Sequence, residues 1–146
     1  MVHLKWDLDC APSYMTPLSS NCDVKSRVSV NIPSHAVIAI PVGVYIVGID
    51  QNKFDSFSQI PEIQIRCRSS LALKHGLMLA NGIGTIDADY RDEIKVLLWN
   101  SSACDYLVEK GERVAQMSLN LVSRIPEVPI ANAPRTGGFG STNKEC

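Results

Sequence analysis

Proline and glycine interrupt this chain of 146 residues so often that few segments are long enough to form a helix. The pieces between them are short and rich in valine and isoleucine. Short β-branched segments separated by turn residues are typical of β-sandwiches and barrels. The chain is therefore predicted to be all-β, with strands at 2–8, 28–30, 36–40, 44–47, 63–66, 77–79, 106–108 and 113–122.

One stretch offers a possible binding slot, Gly82-Ile83-Gly84-Thr85-Ile86-Asp87-Ala88-Asp89-Tyr90-Arg91. The strand-like residues on both sides of its acidic turn predict a hairpin whose second arm carries Ile94, Val96 and Leu98. Glycines there let a flat ligand meet free backbone N–H and C=O groups, with Asp87 at the mouth and Tyr90 as a wall. The alternative is a bulge in the strand and an Asp that caps a turn.

Composition excludes several classes of function. The formal net charge is -1, so the chain has no global field that would attract nucleic acid or an anionic membrane, and an anionic ligand must be met by local arginines. The five cysteines are scattered without zinc-site spacing, which predicts reduced thiols. No targeting segment is recognisable at the N-terminus, so a cytoplasmic location is expected.

Only the segment Ser69-Ser70-Leu71-Ala72-Leu73-Lys74-His75 has a helical pattern, with Gly76 as its stop and Ser69 or Ser70 as its N-cap. The chain changes character after residue 125, where prolines lead into a glycine-rich tail. We therefore expect a β-barrel domain over 1–125 and an extended C-terminal arm over 126–146.

Three polar motifs have both a functional and an ordinary interpretation. Arg68-Ser69-Ser70 places a guanidinium and two hydroxyls at a helix N-terminus, which favours phosphate but also suits a simple cap. Gln116 lies on the polar face of the last strand, and Asp23 follows Asn-Cys as either a turn residue or a water-mediated Mg²⁺ contact. Arg91 and Arg113 are interpreted as structural ion-pair partners.

In sequence order, these motifs resemble the five that define the trimeric dUTP pyrophosphatase family. They are Asn21-Cys22-Asp23-Val24, Arg68-Ser69-Ser70-Leu71-Ala72, Gly84-Thr85-Ile86-Asp87-Ala88-Asp89-Tyr90-Arg91, Gly111-Glu112-Arg113-Val114-Ala115-Gln116 and Gly138-Phe139-Gly140-Ser141-Thr142. The resemblance implies a jelly-roll-like β barrel that forms a homotrimer. It also implies active sites at subunit interfaces, with the arm of one subunit closing over a site built by others.

The resemblance also implies a role for each residue of the hairpin. The edge of uracil would be read by Asn81 and by backbone groups of Gly84, Thr85 and Ile86, with Lys95 as a further contact. Tyr90 would pack under the deoxyribose, and Asp87 would deprotonate the water that attacks the α-phosphorus. The reaction implied is hydrolysis of dUTP to dUMP and pyrophosphate, which keeps uracil out of DNA and supplies the precursor of thymidylate.

The phosphates, by the same resemblance, are held by residues from the other motifs. Mg²⁺ would bridge phosphate oxygens, with Asp23 reaching it through water. Phe139 would stack over uracil while the rest of the arm closes on the terminal phosphates. The phosphate-binding residues implied are Arg68, Ser69, Ser70, Gln116, Arg135, Gly140 and Ser141. Arg135 stands one residue nearer to Gly-Phe-Gly than the family usually has it.

Two rival functions remain at this point. A dCTP deaminase shares the fold and the Arg-Ser-Ser motif, but Leu97 stands where that enzyme would need a catalytic glutamate, and an apolar side chain cannot transfer protons. A catalytically idle protein whose arm is ordered by nucleotide would be an interaction module instead. Retention of both Asp87 and Tyr90 argues against the idle protein.

Overall fold

The computed structural model describes residues 2–50, 59–130, 135, 137 and 138. The predicted all-β, jelly-roll-like fold is confirmed. Within the described residues, the strands and the helix follow in this order: β1 Val2–Trp6, β2 Cys22–Lys25, β3 Val30–Ile32, β4 Val37–Pro41, β5 Val44–Ile49, β6 Gln59–Cys67, α1 Ser69–His75, β7 Leu77–Leu79, β8 Gly84–Asp87, β9 Lys95–Asn100, β10 Tyr106–Val108 and β11 Arg113–Ser123.

Every strand pair in these sheets is antiparallel. The largest sheet has the order β2-β11-β6-β8, a second has the order β4-β9-β7, and β1 pairs with β5 as β3 pairs with β10. The inward faces of the sheets enclose one apolar core, in which the largest fully buried side chains include Ile32, Ile40, Ile46, Ile65, Leu77, Ile94 and Leu98.

The predicted hairpin is wrong in its pairing. Strand β8 pairs with β6, whereas β9 pairs with β4 and β7 in the other sheet. Between them the chain turns at Asp87 and then crosses to the second sheet, where Ile94 exchanges backbone hydrogen bonds with Val42 and Val44. Alternation of apolar residues indicates which face of a strand is buried, but it does not choose the partner strand.

The boundaries of the other strands differ less from the predicted ones. The predicted strands 77–79 and 106–108 coincide with β7 and β10, while the strand predicted at 28–30 lies two residues later, at Val30–Ile32. Strand β2 was missed. Its four residues, Cys-Asp-Val-Lys, carry almost no β-pattern of their own, so its conformation depends on pairing with β11.

The helix has the predicted residues but a different cap. Gly76 ends α1 in the left-handed conformation, with φ 66°. The N-cap is Arg68, which makes no side-chain capping bond, so the predicted serine cap is wrong because both serines lie inside the helix. The described residues include no helix with the length and apolarity that crossing a bilayer requires.

Strand β11 alternates as predicted only over its first half. Ala115 and Met117 are buried, but Leu119 and Leu121, which continue the same face, are about half exposed. This face therefore leaves the core of its own chain after Met117. The protein presents an apolar surface at the end of its longest strand.

A half-buried carboxylate ties the turn after β8 to the rest of the barrel. Both oxygens of Glu93 accept hydrogen bonds from Arg27 at 2.8 Å, and Oε1 also accepts one from the Gly43 N–H. Burial opposes ionisation of Glu93, but these donors outweigh it and lower the pKa of the carboxyl. The backbone carbonyl of Glu93 accepts a hydrogen bond from the Tyr90 hydroxyl, so the same residue also positions Tyr90.

Glu93→Gln is expected to destabilise the fold by about 2 kcal/mol at neutral pH, because the charge-assisted bonds are lost. A carboxyl whose pKa is lowered by folding contributes stability above its unfolded pKa of about 4.3 and loses it as the pH falls through the folded value. Urea unfolding of both proteins at about pH 7 and about pH 3 measures this, since the difference should shrink in acid. The exposed Glu109→Gln variant is the control, and a pH-independent difference would contradict the assignment.

Candidate functional site

Strand β8 is an edge strand of the largest sheet. It pairs with β6 on one side, and no other strand of the described residues pairs with its outer side. Half of the backbone groups of an edge strand point away from the ladder, so they are available to a ligand. Gly84 lies so close to β6 that a Cβ there would be 3.1 Å from the Cβ of Ile65, so a side chain would require Ile65 to shift by a few tenths of an ångström.

The residues around this edge have the exposure that a ligand contact needs. Thr85 is exposed and Ile86 is half-buried. Before the strand, Asn81 and Gly82 are exposed in a tight turn, where the Gly82 N–H bonds to the Leu79 carbonyl. Lys95 is exposed at the start of β9, in the other sheet. Burial raises the pKa of Glu93, but the bonds from Arg27 and Gly43, the charge of Arg27 and, least of these, the charge of Lys95 together lower it.

The acidic turn after β8 exposes two carboxylates above a buried ring. Asp87 and Asp89 are more than half exposed, at 58% and 64%, whereas Tyr90 is only 6% exposed. The Tyr90 N–H bonds to the Asp87 carbonyl and its hydroxyl donates to the Glu93 carbonyl, so the ring is fixed at both ends. Burial is the main cause that raises the pKa of Tyr90. The ring is therefore a neutral, rigid wall.

Arg135 lies over this turn. Its Nη1 donates to Asp87 Oδ2 at 2.7 Å and to Asp89 Oδ1 at 3.0 Å, and its guanidinium carbon is 5.3 Å from the centre of the Tyr90 ring. The hydrogen bond to Asp87 is the main cause that raises the pKa of Arg135. Phe139, Gly140 and Ser141, the other predicted residues of the arm, lie outside the described residues.

A second polar cluster surrounds Asp23, whose side chain is only 2% exposed. Asp23 Oδ1 accepts a hydrogen bond from Gln116 Nε2 at 3.0 Å, and Oδ2 accepts one from Arg113 Nη1 at 3.0 Å. Arg68 places its Nε 3.7 Å from Oδ2 and donates from Nη1 to the Arg113 carbonyl at 2.9 Å. Arg113 is thus an ion-pair partner of Asp23, as predicted. Arg91 instead donates hydrogen bonds from its Nη1 to the backbone carbonyls of Ala88 and Tyr90.

The Asp23 cluster is assembled by strand pairing. Gln116 stands opposite both Asp23 on β2 and Arg66 on β6, and β6 runs directly into Arg68 and the helix that carries Ser69 and Ser70. Asp23, Arg68 and Gln116 therefore meet although they are far apart in the sequence. Two arginines and an amide around one carboxylate form a cationic surface suited to phosphate.

The two clusters lie toward opposite ends of β6. Asp87 pairs with Glu62, whereas Gln116 pairs with Arg66, four residues further along the strand. At the rise of a β-strand this offset is about 13 Å. Within one chain, the acidic turn and the Asp23 cluster therefore lie at different positions along β6.

A family model described as dUTPase matches residues 10–143 of this chain. The chain belongs to the dUTPase family. Deoxyuridine 5'-triphosphate nucleotidohydrolases from Rickettsia peacockii and Rickettsia rickettsii are each 42% identical to it, over 90% of this chain and 87% and 86% of their own. The predicted family resemblance is confirmed.

Solved dUTPase structures have the same fold. The dUTPase of Streptococcus mutans superposes with a TM-score of 0.69 at 23% identity, covering 88% of this chain and 98% of its own. A dUTPase from phage phi11 of Staphylococcus aureus reaches 0.71 at 14% identity, covering 91% and 97%. At such low identities the likeness concerns the fold alone.

Two contacts at the candidate site were not predicted. Asp89, the second acid of the turn, shares Arg135 with Asp87, and Glu93 holds the Tyr90 hydroxyl through its backbone carbonyl. A pair of acids in a turn is a visible sequence signal for a cationic partner. Glu93 gave no such signal, because the contact is made by its main chain.

The buried Asp23 cluster should be essential to stability as well as to the arrangement of its donors. Asp23→Asn keeps an acceptor for Gln116 but leaves Arg113 and Arg68 facing an uncharged amide, so we expect a loss of about 2 kcal/mol. Chemical denaturation measures the change, with the exposed Asp9→Asn as control. Unchanged stability of the Asp23→Asn variant would contradict the buried ion pair.

Proposed function

We propose that this protein hydrolyses dUTP to dUMP and pyrophosphate by in-line attack of water on the α-phosphorus. What supports it most is the family membership of nearly the whole chain, whose curated relatives are nucleotidohydrolases of deoxyuridine 5'-triphosphate. The dCTP deaminase and the idle interaction protein are not favoured. Leu97, at the position where a deaminase would need its glutamate, is a half-buried apolar residue of β9.

In this proposal the free edge of β8 and Asn81 read the hydrogen-bonding edge of uracil. A slot built for uracil rejects cytosine, because the exchanged donor and acceptor leave buried groups unpaired. Tyr90 supports the deoxyribose, and its fixed ring leaves no room for a ribose 2′-hydroxyl. Gly84 lies tightly against Ile65 of β6, so a side chain at this position would crowd that contact.

Asp87 is the proposed general base. It accepts a proton from water as the water oxygen bonds to the α-phosphorus, and the bond from that phosphorus to the bridging oxygen breaks to release pyrophosphate. Arg68, Ser69, Ser70 and Gln116 hold the phosphates. The chemistry depends on positioning and charge neutralisation, since no covalent intermediate is formed.

Mg²⁺ is the proposed cofactor, and the dUTPase from phage phi11 coordinates a structural Mg(II) ion. In this chain both oxygens of Asp23 already accept hydrogen bonds, and the described residues include no group of three or more candidate metal ligands. This environment fits contact through a bound water and disfavours direct ligation, because Mg²⁺ prefers to keep several waters beside substrate phosphates. The ion would neutralise charge on those phosphates.

We propose a homotrimer with active sites shared between subunits. The support is the separation of the acidic turn from the Asp23 cluster, which leaves each chain with two half-sites. A further support is the exposed apolar face at Leu119 and Leu121, which another copy would cover. Residues 1–125 would form the barrel, and 126–146 the arm that completes a site.

The proposed setting is the cytoplasm, where the reaction keeps uracil out of DNA and supplies dUMP for thymidylate.

The reaction is tested by pyrophosphate release from dUTP with Mg²⁺, beside UTP, dTTP and dCTP. We expect turnover of dUTP alone, and a loss of about 10²- to 10⁴-fold in kcat for Asp87→Asn, because the amide cannot accept the proton. Ammonia release from dCTP would assign the chain to the deaminases. Binding of dUTP without turnover would make it an interaction protein.

Shared sites are tested by combining two inactive variants. Co-expression of Asp87→Asn with Arg68→Gln in equal amounts should restore about one quarter of wild-type activity, because each intact half-site is drawn independently from half of the subunits. Co-expression of Asp87→Asn with Asp87→Ala is the matched control and should restore none. Activity no higher than that of the single variants would place the complete site within one chain.

A further inference from the structure

The ring of Tyr90 is held at its hydroxyl end by a backbone carbonyl that belongs to Glu93. The hydroxyl donates to this carbonyl at 3.0 Å, and Tyr90 is only 6% exposed. Residues 88–94 lie outside every strand of the described part of the chain, so no strand ladder fixes the backbone of Glu93 there. Its position depends instead on the backbone bonds of the next residue, Ile94, and on its own side chain.

The side chain of Glu93 is fixed by donors from two other parts of the barrel. Arg27, just after β2, donates two bonds of 2.8 Å to the carboxylate oxygens, one to each. The Gly43 N–H, from the turn between β4 and β5, donates a third bond at 2.8 Å. The side chain of Glu93 is 13% exposed, so these charge-assisted bonds are partly shielded from solvent. Arg27, Gly43 and Glu93 form what we call the Glu93 brace.

The brace is itself anchored through Gly43, which is packed too tightly for a side chain. Gly43 has a left-handed φ of +62°, and a Cβ there would be 2.8 Å from both Cβ and Sγ of Cys10. The Gly43 carbonyl accepts the Asp7 N–H at 2.9 Å, and Arg27 Nε lies 3.6 Å from Asp7 Oδ2. The brace is therefore held on both sides, unlike a surface ion pair whose partners are free to move.

A wall discriminates between two ligands only as strongly as it resists being moved. A ribose 2′-hydroxyl that meets the Tyr90 ring can be accommodated once the ring shifts, so the free energy of that shift is the upper limit of the discrimination. Shifting the ring breaks the hydroxyl bond to Glu93 unless the carbonyl of Glu93 moves with it. The Glu93 brace opposes that movement, because it holds the side chain of the same residue.

We propose that Arg27 and Glu93 are positioning residues that set how strongly the site rejects ribonucleotides, through the bond between Glu93 and the Tyr90 hydroxyl. The inference rests on the proposed function and deepens it, since it names residues that act on the sugar only through Tyr90. The expected effect is that of about one hydrogen bond, so loss of the brace should reduce the preference for deoxyribose about threefold to tenfold. Packing of the Tyr90 ring in the core retains the rest of the preference.

The test measures kcat/KM of the full-length protein for dUTP and for UTP with Mg²⁺, at protein concentrations that detect slow turnover of UTP. Arg27→Met removes both side-chain bonds to Glu93 but keeps a long side chain at a site that is 40% exposed, so the protein should still fold. We expect kcat/KM for UTP to rise about threefold to tenfold, while the value for dUTP changes by less than about twofold. Arg27→Lys keeps the charge but not the paired bonds and should fall between Arg27→Met and the wild type.

A double-mutant cycle separates this role from a general loss of stability. Tyr90→Phe removes the hydroxyl bond directly and should itself reduce the selectivity. Because the brace acts through that bond, adding Arg27→Met to Tyr90→Phe should cause no further change. A merely structural effect of Arg27→Met would keep its full size in the Tyr90→Phe background.

Asp105→Asn is the matched control, because Asp105 also ties loops together, but beyond the opposite end of β9. It accepts bonds from the Asn31 side chain and the Ser34 N–H, so its loss should lower stability without changing selectivity. An Arg27→Met variant that gains no activity on UTP, or gains as much in the Tyr90→Phe background, would overturn the brace. Hydrolysis of dUTP by the wild type would then leave the proposed function intact, whereas its absence would overturn both.

Discussion

The pairing of β6 with β11 on one side and β8 on the other is the constraint on which the rest of this structure depends. The ladder with β11 places Gln116 beside Asp23 and brings Arg68 to the same point. The ladder with β8 places Asp87 and the acidic turn beside Glu62, four residues along β6 from Arg66, which lies opposite Gln116. A shift of one residue in either register would turn the side chains of that strand to the opposite face. The register of one strand thus positions both polar clusters.

The two clusters show opposite uses of charge. Asp23 is buried and surrounded by donors, so its carboxylate organises Arg68, Arg113 and Gln116 before any ligand arrives. Asp87 and Asp89 are exposed and share one arginine, an arrangement that costs little to open. The buried carboxylate holds its donors in a fixed arrangement, whereas the exposed carboxylates leave their shared arginine open to exchange with ions in solution.

Many features of this protein were predictable from local sequence patterns. The proline and glycine punctuation predicted an all-β chain, and Gly76 predicted the end of the helix, because a left-handed residue is a local backbone requirement. Family membership was also predictable, since five short motifs in order are specific even where each is weak. The side chains that contact Asp23 were harder to predict from the sequence. Arg113 was expected to form an ion pair, but its partner stands on a strand, β2, that has no pattern of its own.

What the sequence alone determined is chemical identity: which residues donate, accept, turn or lie in a strand. The tertiary structure decided which of them meet. It separated β8 from β9 into different sheets although their alternation suggested a hairpin, it buried Asp23, and it placed Arg135 on Asp87 and Asp89. The physical reason is that side-chain periodicity fixes the face a residue presents, a local property. The choice of partner strand is made by the packing of the whole core, which no single segment encodes.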